Sequence, residues 1–372
     1  MTALAWLSLL VVAYTYVGYP ALVAAWARVA PRKVAASRAY EPTVSICVAV
    51  YNGEKHLGAK LRSLQGLRYP ASKIEILVCS DGSTDATERI VQDFARRDPR
   101  ITLLSTGGRA GKPSALNLLT SAAHGAVLVM CDARQPLAPG ALRGLLPPLS
   151  DPAVGCVSGN LILSGETGAG AYWKYEKLIR GSEARLGSLV GVSGSLYAVR
   201  RSEMPELPKD VLLDDMFVPL SIAIAGNKSV VFSEEARIFD DACDDGREFH
   251  RKVRTLAGNY QLVAMMPWLL LPRKNPMWLQ MMSHKLLRLA CPWALMTLFF
   301  TSLALASRAG SPPFTLAPWR ALALGQIAFY TCAAAGARAG RVGALARTFI
   351  VLNAAAVAGL VRFVRGSQPV TW

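Results

Sequence analysis

The chain has 372 residues, 52% of them hydrophobic, and carries 41 Lys and Arg against 25 Asp and Glu, for a formal net charge of +16. This composition excludes a disordered or collagen-like chain. All the acidic residues lie between Glu41 and Glu248, so the two flanks carry basic charge only. Because the excess positive charge lies beside apolar runs and not in the central part, we predict a membrane partner and no nucleic-acid partner.

The cysteines and histidines show no spacing typical of a metal or redox site. The seven cysteines form no CxxC pair, and the short apolar runs around Cys47, Cys79 and Cys131 predict reduced, buried thiols. The four histidines receive no functional role from the sequence.

The N-terminal segment predicts a membrane anchor within residues 1–39. Residues 4–27 are uncharged and long enough to cross about 30 Å of hydrocarbon as a helix. The segment lacks the basic start of a signal peptide, so we favour an anchor over a cleaved leader. Arg28, Arg32 and Lys33 follow it, and the positive-inside rule therefore places the next domain in the cytoplasm, at the inner cell membrane.

Three more uncharged runs, residues 289–307, 321–337 and 348–361, lie within the C-terminal region 289–372. The first two are long enough to span a bilayer, whereas the third is short and predicts a re-entrant or interfacial segment. The chain would then cross the membrane three times. A fourth crossing would put Arg362 and Arg365 outside, against the charge rule.

Residues 272–288 precede the second predicted span and mix Met, Trp and Leu with Gln280, His284 and Lys285. This pattern predicts an amphipathic segment lying in the membrane interface. The alternative is that it simply extends the following helix.

The central part, residues 40–271, alternates short β-branched runs with helical periodicity, which predicts an α/β domain with a mainly parallel sheet. Polar turns follow three predicted strands, at Tyr51-Asn52, at Asp81 and at Asp132. In open α/β sheets ligands bind beyond the carboxyl ends of the strands, so we expect these turns to form one crevice. The alternative for each single turn is ordinary turn chemistry.

Six segments occur in the order typical of family-2 glycosyltransferases: VSICVAVYNG, ILVCSDGSTDAT, GKPSALN, VLVMCDARQPL, GVSGSLYAVRR and LLDDMFVPL. The chain resembles the membrane-bound members of this family, the group of exopolysaccharide and hyaluronan synthases, over about residues 42–261. The resemblance implies a Rossmann-like GT-A domain with flanking transmembrane helices and a nucleotide-sugar donor.

The resemblance also assigns the donor pocket. It implies that Asp81 contacts the nucleoside base, whose ring N–H a carboxylate can accept, and that Tyr51 and Asn52 line the same pocket. Lys112 is implied to face the donor phosphates. From the residues alone, Lys112 is nearly as well explained as an exposed loop lysine.

Asp132 matches the first acid of the family's Asp-x-Asp motif, which implies that it binds Mg²⁺ or Mn²⁺ together with the donor diphosphate. Arg134 stands where the second acid is expected. One carboxylate plus a diphosphate can hold a divalent ion. Alternatively, Arg134 neutralises phosphate charge directly, which leaves strict metal dependence open.

Asp214 and Asp215 resemble the family's Glu-Asp pair, whose second acid deprotonates the acceptor hydroxyl. The resemblance therefore makes Asp215 the catalytic base and Asp214 its support. Without the upstream motifs, two adjacent acids would be read as an ordinary helix N-terminus. Gly194 and Ser195 belong to the segment that resembles the acceptor side of the site.

Arg251 and Arg254 lie where processive members carry Gln-x-x-Arg-Trp, but Thr255 replaces the tryptophan. This difference weakens the case for a polysaccharide polymerase. The two arginines either neutralise the leaving diphosphate or form a basic face beside the membrane.

The sequence therefore predicts an inverting, membrane-bound hexosyltransferase for cell-envelope or exopolysaccharide synthesis. It would move a sugar from a UDP- or GDP-sugar to a lipid-linked or growing glycan acceptor. A processive synthase of the same class, and a non-catalytic membrane subunit of a synthase complex, are the alternatives.

Overall fold

The computed structural model describes residues 1–164, 168–187, 189–241, 245–308 and 313–370. The central part contains a seven-stranded sheet with the order β3-β2-β1-β4-β6-β5-β7. The strands are β1 Val44–Val50, β2 Ile74–Ser80, β3 Ile101–Ser105, β4 Val127–Asp132, β5 Val154–Ser164, β6 Leu196–Arg200 and β7 Ser229–Asp241.

The first four strands of the chain run parallel to one another, and β6 pairs antiparallel with both β4 and β5. β7 returns parallel to β5. The predicted α/β domain is thus confirmed, with an antiparallel strand in an otherwise parallel sheet. Because β1, β2 and β4 end at one edge, the polar turns that follow them lie together.

The N-terminal segment forms α1 Thr2–Ala13 and α2 Tyr19–Val29, joined without a break by a π-helical turn at Tyr14–Gly18. The domain helices follow: α3 Glu54–Gln65, α4 Thr87–Ala95, α5 Lys112–Ala122, α6 Ala141–Leu145, α7 Gly168–Arg185, α8 Asp214–Gly226 and α9 Asp245–Met265. Short 3₁₀ turns occur at Ala71–Lys73, Pro147–Ser150, Arg201–Glu203 and Pro267–Leu270.

Strand side chains alternate between two apolar cores. Ile46 and Val48 of β1 face the core that contains Leu57 and Leu61 of α3, while Cys47 faces the opposite core with α5, α8 and α9. This alternation follows from the period of two in a strand. Cys47, Cys79 and Cys131 are free and buried, in agreement with their apolar sequence context.

The C-terminal region begins with α10 Trp278–Gln280, a π-helical turn at Met281–Leu286 and α11 Leu287–Ala306, which together form one uninterrupted helix. The predicted interfacial segment 272–288 therefore runs into the next helix, and its Met277 and Met281 are buried in the core beneath the sheet. Next come α12 Pro313–Ala335, a 3₁₀ turn at Gly336–Ala339 and α13 Gly340–Val364.

Within the described residues, three helical segments are long and apolar enough to cross a membrane: Thr2–Val29, Trp278–Ala306 and Leu316–Val364. The last segment includes both α12 and α13. Residues 348–361 are thus part of a 25-residue helix, and their re-entrant or interfacial placement stays a prediction.

Helix α13 packs closely against α9 of the sheet domain at Gly359. A Cβ atom at this position would lie 2.9 Å from the backbone nitrogen of Ala257 and 3.1 Å from the carbonyl carbon of Leu256. Tyr260 stacks on Phe363 one turn away, with ring centroids 6.0 Å apart. The missing side chain lets the two helices approach, as small residues do between membrane helices.

We therefore expect Gly359→Ala to destabilise the protein by about 1–3 kcal/mol, because the neighbouring backbone must move. Thermal unfolding in detergent measures this effect. Gly325→Ala on α12 is the matched control, since a Cβ there meets nothing within 4 Å. Equal melting temperatures for the two variants would contradict the tight contact between α13 and α9.

Candidate active site

Lys112 lies at the centre of a cluster of carboxylates at the carboxyl edge of the sheet. It opens α5, directly after Gly111, whose φ of 88° suits glycine. Its Nζ is 3.2 Å from Oδ1 of Asp132, at the end of β4, and 3.2 Å from Oδ1 of Asp214, at the start of α8. One ammonium therefore joins two chain segments that are far apart in sequence.

Neighbouring carboxylates keep the Lys112 ammonium protonated. Burial by itself would lower the pKa of this ammonium, but Asp132, Asp214 and Asp215 outweigh that effect and raise it above its ordinary value. The side chain is only 15% exposed. Lys112 is thus a protonated, largely buried cation, and the interpretation as an exposed loop lysine does not fit its position.

Asp215 stands beside this cluster in the first turn of α8. Burial, followed by repulsion from Asp214, raises the pKa of Asp215 to about 6. A carboxyl group with a pKa near the working pH is suited to general-base catalysis. The backbone oxygen of Asp215 accepts a hydrogen bond of 2.9 Å from Val192, which ties α8 to the segment before β6.

Gly194 faces the Asp215 side chain. A Cβ at Gly194 would lie 3.5 Å from Oδ2 of Asp215, so the glycine keeps this side of the carboxylate open. Ser195 is buried, and its hydroxyl lies 2.6 Å from that of Ser193. The structure therefore brings Gly194 to the predicted base, while the Ser195 hydroxyl is held by its neighbour.

The predicted donor pocket lies beyond β1 and β2. The Asp81 carboxylate is fully buried and accepts hydrogen bonds from the backbone N–H groups of Ala110 (2.8 Å) and Gly111 (3.0 Å). It also accepts one from the Thr106 hydroxyl at 3.2 Å. A nucleobase can therefore reach this carboxylate only if the loop of residues 106–111 shifts.

The same loop covers the second predicted side of the pocket. The Arg109 guanidinium lies 3.9 Å from the centroid of the Tyr51 ring, a cation–π contact. Asn52 adopts a φ of 49°, and its side-chain oxygen accepts a hydrogen bond of 2.9 Å from the Thr84 backbone. Tyr51, Asn52 and Asp81 thus lie close together, and their contact with a donor stays a prediction.

Arg134 forms an ion pair with Asp240 near the end of β7. Gln135 donates a second hydrogen bond, of 3.0 Å, to the same carboxylate. The positive charge of Arg134 is therefore offset within the protein. Sequence reasoning missed Asp240, and the only local signal for it was an acid at the end of a β-branched run.

Asp132 offers an oxygen ligand of the type that Mg²⁺ and Mn²⁺ prefer. Its carboxylate and that of Asp214 both point at one cation, the Lys112 ammonium, so the site already stabilises positive charge. Among the described residues, no three His, Cys, Asp or Glu side chains are grouped to hold a metal. One protein carboxylate can still hold a divalent ion that takes its other oxygens from a diphosphate and water, and Asp132 fits that role.

Arg251 and Arg254 lie on α9, beside the C-terminal segment. Arg254 donates a hydrogen bond of 3.3 Å to the backbone oxygen of Val370. Val370 also approaches the loop at Gly111, where a Cβ would lie 3.6 Å from its side chain. The segment before the C-terminus therefore lies between α9 and the start of α5. A role for the two arginines in diphosphate binding stays a prediction.

A buried polar network, which the sequence did not reveal, joins α7 to the membrane helices. The two nitrogens of the His284 ring lie 2.8 Å from Glu183 and 3.2 Å from Glu176. Arg288 also pairs with Glu176, and the Tyr19 hydroxyl donates a bond of 2.6 Å to Glu183. Burial alone would raise the pKa of Glu176, but Arg288 and His284 hold it well below its ordinary value. The only sequence signal for this network was helical periodicity. Glu176 and Glu183 share one face of α7, and His284 and Arg288 share one face of the second candidate span.

Comparisons with known proteins agree with this geometry. Residues 45–202 match the family model described as Glycosyl transferase family 2. Among solved structures, the mannosyltransferase PcManGT from Pyrobaculum calidifontis, in complex with GDP-Man and Mn²⁺, is 25% identical and has a TM-score of 0.74. The similarity covers 97% of this chain and 99% of that one.

Two curated relatives match shorter segments. Beta-monoglucosyldiacylglycerol synthase from Synechocystis sp. is 26% identical over 159 residues, which cover 39% of this chain and 33% of the relative. Glycosyltransferase AglE from Haloferax volcanii is 31% identical over 91 residues, which cover 24% of this chain and 30% of the relative. The matched segments thus span a third or less of these relatives. The ordered motifs, the sheet and the family match together identify residues 45–202 as a family-2 glycosyltransferase segment with the GT-A fold.

Proposed function

We propose that this protein is an inverting, membrane-bound transferase that moves a sugar from a UDP- or GDP-sugar to a lipid-linked or growing glycan. The observation that carries the proposal is the convergence of Asp132, Lys112, Asp214 and Asp215 at the carboxyl edge of the sheet. The mannosyltransferase of similar fold, bound to GDP-Man and Mn²⁺, supports this donor class. The basic flanks support a catalytic domain on the cytoplasmic side of the cell membrane.

The donor diphosphate would lie beside Asp132 and Lys112. The Lys112 ammonium would stabilise the negative charge that grows on the departing diphosphate. Asp132 would hold a divalent ion, either Mg²⁺ or Mn²⁺, which neutralises diphosphate charge when bound. Tyr51, Asn52 and Asp81 would form the nucleoside end of the pocket after the loop of residues 106–111 has shifted.

Asp215 would act on the acceptor. Its carboxylate takes the proton of the acceptor hydroxyl while that oxygen bonds to the anomeric carbon of the donor. The bond from this carbon to the diphosphate oxygen breaks, and the electron pair leaves with the nucleoside diphosphate. Attack opposite the leaving group inverts the anomeric centre.

A single transfer per encounter fits the acceptor side better than polymer synthesis. Thr255, at the position of the expected tryptophan, is exposed on α9 and offers no ring for stacking a sugar. Three candidate spans also supply few helices for a polymer channel.

Nucleotide release from a panel of UDP- and GDP-sugars tests the proposal. The protein is purified in detergent and assayed with Mn²⁺, with Mg²⁺ and with excess EDTA. We expect release from one donor, accelerated by a membrane-lipid extract and lost in EDTA. Full activity in EDTA would remove the metal from the mechanism. If every donor bound without release, even with the extract, the non-catalytic alternative would replace the proposal.

A further inference from the structure

A cavity of about 410 Å³ lies between the sheet domain and the membrane helices. We call it the juxtamembrane cavity. We refer to its polar lining residues as the polar wall and to its apolar lining residues as the apolar wall. The polar wall includes Lys252 and Asn259 of α9 with Lys285 and Arg288 of the second candidate span, and the apolar wall includes Leu345, Phe349 and Leu352 of α13.

The polar wall carries three cations, Lys252, Lys285 and Arg288, against one acid, Glu176. Within the described residues it also retains side-chain oxygens without hydrogen-bond partners. Lys285 forms no hydrogen bond or ion pair with any side chain in the described ranges. The side-chain oxygen of Asn259, a residue only 4% exposed, has no hydrogen-bond partner. The same holds for the oxygen of Asn353, which is 7% exposed. Buried polar atoms without partners are costly, so these two acceptor oxygens suit a ligand with hydroxyl donors. The cations of the wall suit a ligand that also carries an anionic group.

The cavity also adjoins every candidate membrane span of the described residues. All three candidate spans contribute to it: Tyr16 comes from the first, Lys285 from the second and Phe349 from the third. Basic residues at the membrane end of a domain attract anionic headgroups. The apolar wall on α13 offers a surface for hydrocarbon. A ligand that matches both walls is an amphiphile with a negatively charged head.

Two π-helical turns shape this region. The turn at Tyr14–Gly18 supplies Tyr16, and the turn at Met281–Leu286 supplies His284 and Lys285. The two turns meet where the Tyr14 hydroxyl lies 2.9 Å from that of Ser283. Such turns inside helices are frequent at functional sites because they redirect side chains.

We propose that the juxtamembrane cavity binds the phosphate headgroup and the first part of the hydrocarbon chain of a lipid-linked acceptor. The inference rests on the proposed transferase function, because it names the class of acceptor for the same reaction. Lys285 would bind the phosphate. The side-chain oxygens of Asn259 and Asn353 would accept hydrogen bonds from hydroxyl groups of the acceptor. Phe349 and Leu352 would contact its hydrocarbon chain.

Lys285, which lines the cavity, also lies near the candidate active site. This lysine is close enough to Asp215 for its positive charge to lower the pKa of that carboxyl. Lys252 and Thr255, which also line the cavity, lie on the same helix as Arg251. A headgroup held at Lys285 would therefore present its attached acceptor group on the side of the molecule where Asp215 lies.

Equilibrium binding of farnesyl phosphate to the full-length protein in detergent, without donor, tests the inference. Farnesol and inorganic phosphate are the comparison ligands, since each carries one half of the chemistry. We expect farnesyl phosphate to bind at least about tenfold more tightly than either, because only it meets both walls. Equal binding of farnesol would indicate a neutral lipid acceptor, and equal binding of inorganic phosphate would indicate a simple anion site. Either result would overturn the inference.

Variants locate the site. We expect Lys285→Met to weaken farnesyl phosphate binding by about tenfold, whereas Lys285→Arg, which keeps the charge, binds as the wild type does. Lys274→Met is the matched control, because Lys274 is an exposed lysine of the adjoining segment. If Lys285→Met does not fold, Lys252→Met replaces it. Unchanged binding in the folded methionine variant would overturn the inference.

Nucleotide release, measured in parallel, separates the two proposals. If the wild type turns over the donor but Lys285→Met still binds the lipid normally, only the cavity assignment is disproved. A protein that binds farnesyl phosphate through Lys285 but never releases nucleotide would disprove the transferase, and with it the acceptor role of this lipid.

Discussion

Asp215→Asn is expected to reduce sugar transfer by about 10²–10⁴-fold, the range that a general base supplies. The amide cannot take the acceptor proton, yet it keeps the shape of the side chain against Gly194. Donor binding should change little, because Lys112 contacts Asp132 and Asp214 and these three groups remain. Initial rates of transfer, with the donor affinity measured separately, check this expectation.

The stability of the same variant tests whether misfolding is the cause. The pKa of Asp215 is raised to about 6 in the folded protein, against about 3.9 in an unfolded chain. A carboxyl whose folded pKa is raised destabilises the protein once it ionises, so stability falls as the pH rises from about 4 through 6. Asp215→Asn should therefore melt no lower than the wild type at about pH 7.5, and its advantage should vanish near pH 4.

The pH profile supplies a further check on the base. Transfer by the wild type should rise with pH through about 6, as Asp215 loses its proton. The matched control is Asp210→Asn, which removes a carboxylate from the exposed turn before α8. That control should keep both the rate and the profile. A full transfer rate in Asp215→Asn would show that another group is the base.

Lys112→Met is expected to impair both folding and donor binding. Methionine keeps much of the apolar stem but leaves Asp132 and Asp214 without their shared cation. Removing the charged partner of a buried carboxylate costs about 2 kcal/mol or more, because the remaining charge is desolvated. The donor KM should also rise, since the ammonium no longer meets the phosphates. Chemical unfolding and donor titration measure the two effects.

A double variant tests whether the carboxylate is the cause. If the loss in Lys112→Met comes from the uncompensated Asp214, then adding Asp214→Asn should restore part of the stability, so that the two changes are not additive. Lys209→Met, at an exposed position, is the control and should unfold as the wild type does. Strict additivity would mean that the 3.2 Å contact between Lys112 and Asp214 contributes little.

The titration of Lys112 itself should not change the stability near neutrality. Its folded pKa is raised above the unfolded value of about 10.4. A lysine with a raised pKa contributes its full stabilisation below the unfolded pKa, and loses it as the pH rises through the folded pKa. The difference between wild type and Lys112→Met should therefore be constant between about pH 8 and 9 and shrink at higher pH. It should grow as the pH rises above about 6, because removal of the Lys112 charge raises the pKa of Asp215.

Much of the candidate site could be predicted from the sequence, because the positions of its acidic residues depend on patterns of neighbouring residues. Asp81 and Asp132 follow β-branched runs, and parallel strands that end at one edge bring such residues together whatever the loops between them. Asp214 and Asp215 open a helix, as their acidic pair suggested. Long apolar runs likewise indicated helices able to cross a membrane, because hydropathy and length set this property.

The partners of these residues could not be read in the same way. Arg134 pairs with Asp240 across 106 positions, and His284 meets Glu176 across 108. Such pairs depend on the order of strands and on how α7 packs against the membrane helices. Without these distant partners, Arg134 was predicted to meet the donor phosphates and His284 had no predicted role.

The sequence by itself determined the fold class, the resemblance to family-2 glycosyltransferases and the positions of the acidic groups, since strand alternation, helix periodicity and ordered motifs are all local patterns. Only the tertiary structure decided that Lys112 joins two carboxylates, that the loop of residues 106–111 covers Asp81, and that a two-sided cavity lies beside Lys285. The physical reason is that pKa values, burial and cavity shape depend on which residues far apart in sequence come into contact. A local sequence pattern does not specify those contacts.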